Sequence, residues 1–380
     1  MSPKLTRRDL LQSGACGLGC LALARLARAE DQASSQVGVD DTGYPLIEAR
    51  HYQKLDRLRV RCELCPRRCQ VADLERGYCG VRENRGGTYH SLVHSRLVSM
   101  HTDPIEKKPF FHVVPGGLAF SVATTGCNME CKFCQNWEIS QYRPEQVAAR
   151  RVSPEQCHAL ASADGAPFIA YTYTEPVIFY EYMLDTARLG ARTGVRSVVV
   201  SNGYIEEKPL LELLPHITAY KVDLKAFGNR FYEELCAARL QPVLHSLQII
   251  KKAGVWLEIV VLVLPGHNDD EREVAQLARF VRRNLGRETP LHFTRFHPTY
   301  RMKNLPPTPV ATLERCYDVA RAEGLDFVYM GNVRGHPGEN TSCPGCRALL
   351  IRRTGFSVVE NNLVAGHCPR CQRAIPGVWT

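Results

Sequence analysis

From Leu118 onward, short runs of β-branched and apolar residues alternate with longer stretches whose apolar positions recur every three or four residues. The short runs predict strands: LAFSVAT (118–124), FIAYT (168–172), VRSVVVS (195–201), ITAYKVD (217–223), VWLEIVVLVL (255–264) and LHFTRF (291–296). The longer stretches at 177–194, 230–238 and 269–286 predict helices. The last of them closes on Arg282, Arg283 and Gly286, a helix stop signal. Strand followed by helix, repeated about six times, predicts a mainly parallel sheet with helices outside it. An open doubly wound sheet and a barrel-like one both satisfy the pattern, and no repeat of fixed period is present.

The rhythm holds for 118–336 only. Residues 1–30 form a basic, then apolar leader, and 31 to about 55 read as a polar linker into a cysteine-rich module that runs to 117. A second cysteine-rich segment fills 337–380. The leader carries Arg7 and Arg8 ahead of Leu10 and Leu11, a small-residue apolar run, and Ala27-Arg28-Ala29. That pattern resembles a twin-arginine export signal, and its apolar run is too short for a membrane span. The net charge of +9 is spread along the chain without a basic block interleaved with aromatics, so no nucleic-acid partner is expected.

The 16 cysteines change the picture, because most are clustered. Tight C-x-x-C pairs suit metal chelation better than cross-domain disulfides, and a chain of 380 residues is not a small disulfide scaffold. Cys157, Cys236 and Cys316 stand apart in helix-like segments and read as buried small hydrophobes. Cys343, Cys346, Cys368 and Cys371 are spaced C-x2-C-x21-C-x2-C, close to a zinc ribbon whose knuckles are joined by short strands. Rubredoxin-like iron is the alternative there. Cys62, Cys65, Cys69 and Cys79 are spaced C-x2-C-x3-C-x9-C and either close a zinc site or hold an auxiliary iron–sulfur cluster.

Cys127, Cys131 and Cys134 lie on one loop after the first strand, where barrel-type sheets place their chemistry. A closed metal site wants four protein ligands. Three thiolates can instead hold three irons of a [4Fe–4S] cube and leave the fourth iron open to the amino and carboxylate groups of a small molecule. A zinc site completed by a histidine is the competing reading.

C-x-x-x-C-x-Φ-C, with Phe133 before the last cysteine, resembles the radical S-adenosylmethionine superfamily. The resemblance implies that S-adenosylmethionine is the missing ligand, and that one electron from the cluster cleaves it to a 5′-deoxyadenosyl radical that abstracts hydrogen from a substrate. It implies a partial (β/α)6 barrel. It also assigns Glu175, in a YTEP segment where family members carry Gly-Gly-Glu-Pro, to the methionine amino group. Ser201 and Asn202 in SNG, Asp223 and Lys225 in DLK, and His297 in RFHPT stand at strand ends as further S-adenosylmethionine contacts. Within the superfamily the chain is most similar to the AmmeMemoRadiSam system radical SAM enzymes, relatives of the pyruvate formate-lyase activating enzymes. This resemblance runs from about Cys62 to the C-terminus and rests on CELCPRRC…GYCGVREN, GCNMECKFCQNWEIS, YTYTEPVIFYEY, SNGYI, VDLKAF, LPGHND, MGNVRGHPGENTSCPGC and IPGVW.

Three rival functions remain at this stage: an activase for a glycyl-radical enzyme, a non-catalytic iron–sulfur electron carrier, and a zinc-ribbon nucleic-acid binder. The leading reading needs an electron donor such as a flavodoxin or ferredoxin. It also favours catalysis in the cytoplasm, where S-adenosylmethionine and low-potential electrons are available, in tension with the leader.

Overall fold

The computed structural model describes residues 38–40 and 42–380. Residues 1–30, read above as resembling a twin-arginine signal and containing Cys16 and Cys20, lie outside the described residues. The main sheet has eight strands, numbered here in chain order: β1 (Ser99–Pro104), β2 (Leu118–Ala123), β3 (Phe168–Tyr171), β4 (Arg196–Ser201), β5 (Ala219–Asp223), β6 (Trp256–Val263), β7 (Leu291–Arg295) and β8 (Val328–Gly331). They are ordered β8-β7-β6-β5-β4-β3-β2-β1, parallel throughout except that β1 runs antiparallel to β2.

Between successive parallel strands lie α1 (Pro154–Ala163), α2 (Tyr180–Thr193), α3 (Glu207–Leu213), α4 (Asn229–Cys236) with α5 (Leu240–Lys252), α6 (Glu271–Phe280) and α7 (Val310–Ala322). The six strand–helix units expected are present. Two further strands flank them, the antiparallel β1 and the short β8. Local chemistry sets the helix ends. Ser153 caps α1 in a capping box with Gln156, and Pro154 follows at the first position. Asp270 accepts from the amides of Arg272 and Glu273 at the start of α6. Gly194 ends α2 at φ +75, where a side chain would be strained.

Strand alternation sorts the two faces. Val122, Ile169, Tyr171, Val199, Tyr220 and Val222 point into the core shared with the helices. Burying each such side chain stabilises the fold by about 1.5–3 kcal/mol. On the other face Ala119, Ala170, Val198 and Ala219 are small and form a separate cluster with Phe168. Above them the same face turns polar: Lys221 stands beside Glu258, and Asp223 shares its row with Val260, His292 and Tyr329. This face of the sheet is therefore small-residue toward the N-terminal ends of its strands and polar toward their C-terminal ends.

The stretch read as a linker differs from expectation. Ile47–Glu48 and Tyr52–Lys54 are short strands that pair with Thr88–Ser91 and with Val60–Cys62 in the cysteine-rich module. They are two or three residues long with half-exposed polar side chains, so they carry no hydrophobic pattern. The C-terminal segment folds as three antiparallel strands, Thr341–Ser342, Leu349–Thr354 and Ser357–Asn361. Its Leu350 and Ile351 share a core with Phe111, Phe327 and Tyr329, so it is continuous with the β8 edge of the main sheet. Among the described residues no helix is long and apolar enough to cross a membrane.

Candidate active site

The loop after β2 is held from three sides. Gly126 sits at φ +101, and a Cβ there would lie 2.6 Å from Val81 Cγ1 and 2.9 Å from the Cys79 carbonyl oxygen, so only glycine fits. The amides of Glu130 and Lys132 donate to the carbonyls of Cys236 and Leu235, at 3.0 and 2.9 Å. Those carbonyls belong to the C-terminal turn of α4, which has no helical partner for them. Asn128 Nδ2 donates to the Tyr204 carbonyl at 2.8 Å, and Phe133 packs against Phe231.

Held this way, Cys127, Cys131 and Cys134 all line one cavity of 420 Å³ at the C-terminal ends of the strands. Their sulfurs already have donors: the Met129 amide reaches Cys127 at 3.3 Å, and Ser140 Oγ lies 3.2 Å from Cys134. The Cys236 thiol hydrogen-bonds to Cys131 and pulls its proton affinity down against burial, with Lys225 helping. Burial, then Glu175 and Cys131, push Cys127 up. Donors of this kind stabilise thiolate sulfur bound to iron. Among the described residues no fourth cysteine lines the cavity; Cys236 is buried behind Cys131.

Glu175 follows β3 and is buried. It accepts from Ser201 Oγ at 2.6 Å, from the Asn202 amide at 2.7 Å and from the Val177 amide at 3.1 Å. Burial raises its pKa to about 7 in spite of these bonds. Asn202 Nδ2 donates to Asn128 Oδ1 at 2.8 Å and lies 3.9 Å from Cys127 Sγ, tying this group to the loop. Asp223 ends β5 between two ammonium groups, those of Lys221 and Lys225, the latter at 3.1 Å. Burial opposes its ionisation, but the two lysines outweigh it and hold Asp223 at about 2. Sequence reasoning thus named five polar residues that the fold brings to the cysteine loop: Glu175, Ser201, Asn202, Asp223 and Lys225.

His297 does not join them. It is exposed and does not line the cavity, because the buried Phe296 takes the inward position at the end of β7. The histidine that lines the cavity is His292, five residues earlier and inside β7, whose Nε2 is 2.7 Å from Glu258 Oε2. Glu258 also accepts from the amides of Phe111 and His112, at 3.0 and 2.8 Å, which fixes the segment after β1 across the floor of the cavity. Lys221, Glu258 and His292 were missed. Their signal was present: charged or titratable residues alternating with apolar ones inside strands otherwise buried on both faces. Tyr173 opens the YTEP segment, where the family carries glycine. Its φ of +64 shows why glycine suits that position, and its hydroxyl donates to Asp103 at 2.7 Å beside Lys108.

The remaining cysteines form two sets with different spacing. In the C-terminal set Cys343 and Cys371 are 3.5 Å apart, Cys346 and Cys368 3.6 Å, and all four sulfurs lie within 4.8 Å of one another. This is the spacing of a single-ion site. Cys62, Cys65, Cys69 and Cys79 also pack into one cluster, where burial first and then their mutual charge push up the thiols of Cys65 and Cys79. No three of their sulfurs, however, come within 4.8 Å of one another.

Comparison with known proteins adds the family. The model of the radical SAM superfamily matches residues 121–278. An uncharacterized protein of Methanocaldococcus jannaschii is 44% identical over 330 residues, covering 86% of this chain and 98% of its own. The pyruvate formate-lyase 1-activating enzyme of Escherichia coli is 20% identical over 232 residues, 56% of this chain and 92% of that enzyme. Among solved structures, a radical SAM methyltransferase from Sphaerobacter thermophilus aligns with a TM-score of 0.47 and 17% identity over 78% of this chain and 81% of that one.

Proposed function

This chain belongs to the radical SAM superfamily, and from that premise we propose that it is an enzyme that reductively cleaves S-adenosylmethionine at the Cys127, Cys131, Cys134 loop to abstract hydrogen from a substrate. The observation that carries the reading is the meeting of three loop thiols with Glu175, Ser201, Asn202, Asp223 and Lys225 in one cavity. A [4Fe–4S] cluster and S-adenosylmethionine, when bound, supply one-electron cleavage of a sulfonium carbon–sulfur bond and hydrogen-atom transfer. The three cysteines would hold three irons. Glu175, fixed by Ser201 and Asn202 beside Cys127, offers a carboxylate to an ammonium group. Asp223 and Lys225 offer an acceptor and a cation to ribose hydroxyls and a carboxylate. The polar inner face formed by Lys221, Glu258 and His292 lies deeper, on the substrate side.

The motifs quoted above support assignment to the AmmeMemoRadiSam group, and the six strand–helix units support a partial (β/α)6 barrel. The C-terminal four cysteines suit one structural zinc. The electron source is a low-potential one-electron carrier of the flavodoxin or ferredoxin type, and catalysis belongs in the cytoplasm. Activation of a glycyl-radical enzyme is the second reading, suggested by the Escherichia coli relative. Gly355 and Phe356 of the C-terminal module reach the cavity and narrow the mouth that a partner's loop would have to enter. A pure electron carrier has no use for the cavity.

Binding tests the proposal directly. Adding S-adenosylmethionine to the anaerobic, reduced protein should change the EPR signal of the cluster at the triad, and Cys127→Ala should abolish the part of the signal that responds to S-adenosylmethionine. A wild-type cluster signal indifferent to S-adenosylmethionine contradicts it.

A further inference from the structure

We propose that Cys62, Cys65, Cys69 and Cys79 hold a second iron–sulfur cluster, and that electrons reach the Cys127, Cys131, Cys134 site through it. This rests on the reading of the triad given above.

The four thiols are brought together by the backbone. Cys62 ends the strand Val60–Cys62, and its amide donates to the Cys69 carbonyl at 2.9 Å. The Tyr78 amide donates to Cys69 Sγ at 3.4 Å, which brings the segment of Cys79 to the same place. Their sulfurs are not gathered as tightly as those of the C-terminal set. Zinc–sulfur bonds of about 2.3 Å put the sulfurs about 3.8 Å apart. The C-terminal set meets that geometry, and the N-terminal set is held wider. A cubane, which places four irons and four sulfides between its ligands, needs the wider frame. Beside the set, the Arg82 guanidinium is 1% exposed and ion-paired with the buried Glu181, and its Nη1 also lies 3.6 Å from Cys62 Sγ. It gives Cys62 a charge-assisted donor, the kind of hydrogen bond that tunes a thiolate bound to iron.

Position supplies the role. The Cys79 carbonyl lies against Gly126, so close that any Cβ there would collide with it. Cys127, the next residue, lines both the active cavity and a separate outer cleft of 630 Å³ that Cys79 also lines. The two cysteine sets therefore share one wall, Cys79–Gly126–Cys127, and each presents one cysteine, Cys79 or Cys127, to that cleft. The step is a transfer of one electron with no bond made or broken. A low-potential one-electron carrier reduces the N-terminal cluster, which is reoxidised as the cluster at the triad is reduced.

The test compares anaerobically reconstituted wild-type protein with the Cys65→Ser/Cys69→Ser variant, by iron, sulfide and zinc per chain and by EPR after dithionite reduction. Wild-type protein should hold about eight irons and the variant about four, with zinc unchanged. The ratio of flavodoxin-driven to dithionite-driven S-adenosylmethionine cleavage should fall by an order of magnitude or more in the variant. Wild-type protein with iron for one cluster and a second zinc overturns the site, whether or not the variant folds. Equal loss with both reductants overturns the relay. Failure of the triad reading would show separately, as cleavage that survives in Cys131→Ala.

Discussion

Ser201 Oγ donates to Glu175 Oε1 at 2.6 Å inside the wall of the cavity, and burial still holds Glu175 near pH 7. Its ordinary value is 4.5. Below that pH the folded and unfolded chains both bind the proton; between 4.5 and 7 the folded chain alone keeps it. Stability therefore falls as pH rises through this window, by about 3 kcal/mol for a shift of this size. Glu175→Gln should remove that slope. Denaturant titrations of both proteins on either side of the window measure it; parallel curves would show that Glu175 is not the group responsible. An ammonium ligand favours the carboxylate, so S-adenosylmethionine should bind wild-type protein more tightly as pH rises through 7.

Gly126→Ala should disturb both neighbouring cysteine sets at once. The new Cβ would meet Val81 and the Cys79 carbonyl, at a φ that only glycine adopts easily. The expected cost is on the order of 3 kcal/mol, read as a lower Tm and a loss of iron after reconstitution. Unchanged Tm and iron content would mean that the loop moves freely against the Cys79 segment.

Cys346→Ser/Cys371→Ser should release one zinc per chain. Metal binding and folding are coupled in such sites, with apparent contributions on the order of 10 kcal/mol. Because Leu350 and Ile351 pack with Phe111, Phe327 and Tyr329, the loss should lower the Tm of the whole protein rather than loosen the module alone. Metal analysis with calorimetry decides; intact zinc in the variant would place the ion elsewhere.

What the sequence made legible follows from which signals are local. The cysteine loop, the C-x-x-C pairs and the six long strands are short-range patterns, and the structure places them together. Cys236 was not legible as a neighbour of Cys131, because in sequence it is one more apolar position on α4; only the antiparallel meeting of that helix end with the loop joins them. Residues 328–331 are too short a run beside a glycine-rich turn to stand out as a strand, and β1 is an edge strand with polar positions and Pro104 at its end. His297 stands just past a strand, a position that suits a contact residue and an ordinary loop histidine alike; it is exposed, and the neighbouring Phe296 is the buried one.

The central claim is that the open position at Cys127, Cys131 and Cys134 belongs to S-adenosylmethionine. The measurement that tests it most directly is product analysis after anaerobic reduction with dithionite in the presence of S-adenosylmethionine. The wild-type protein should yield methionine and 5′-deoxyadenosine in equal amounts, and Cys131→Ala should yield neither while keeping its fold and its zinc. Wild-type-like cleavage by Cys131→Ala, or no cleavage by wild-type protein with a full cluster, would contradict it.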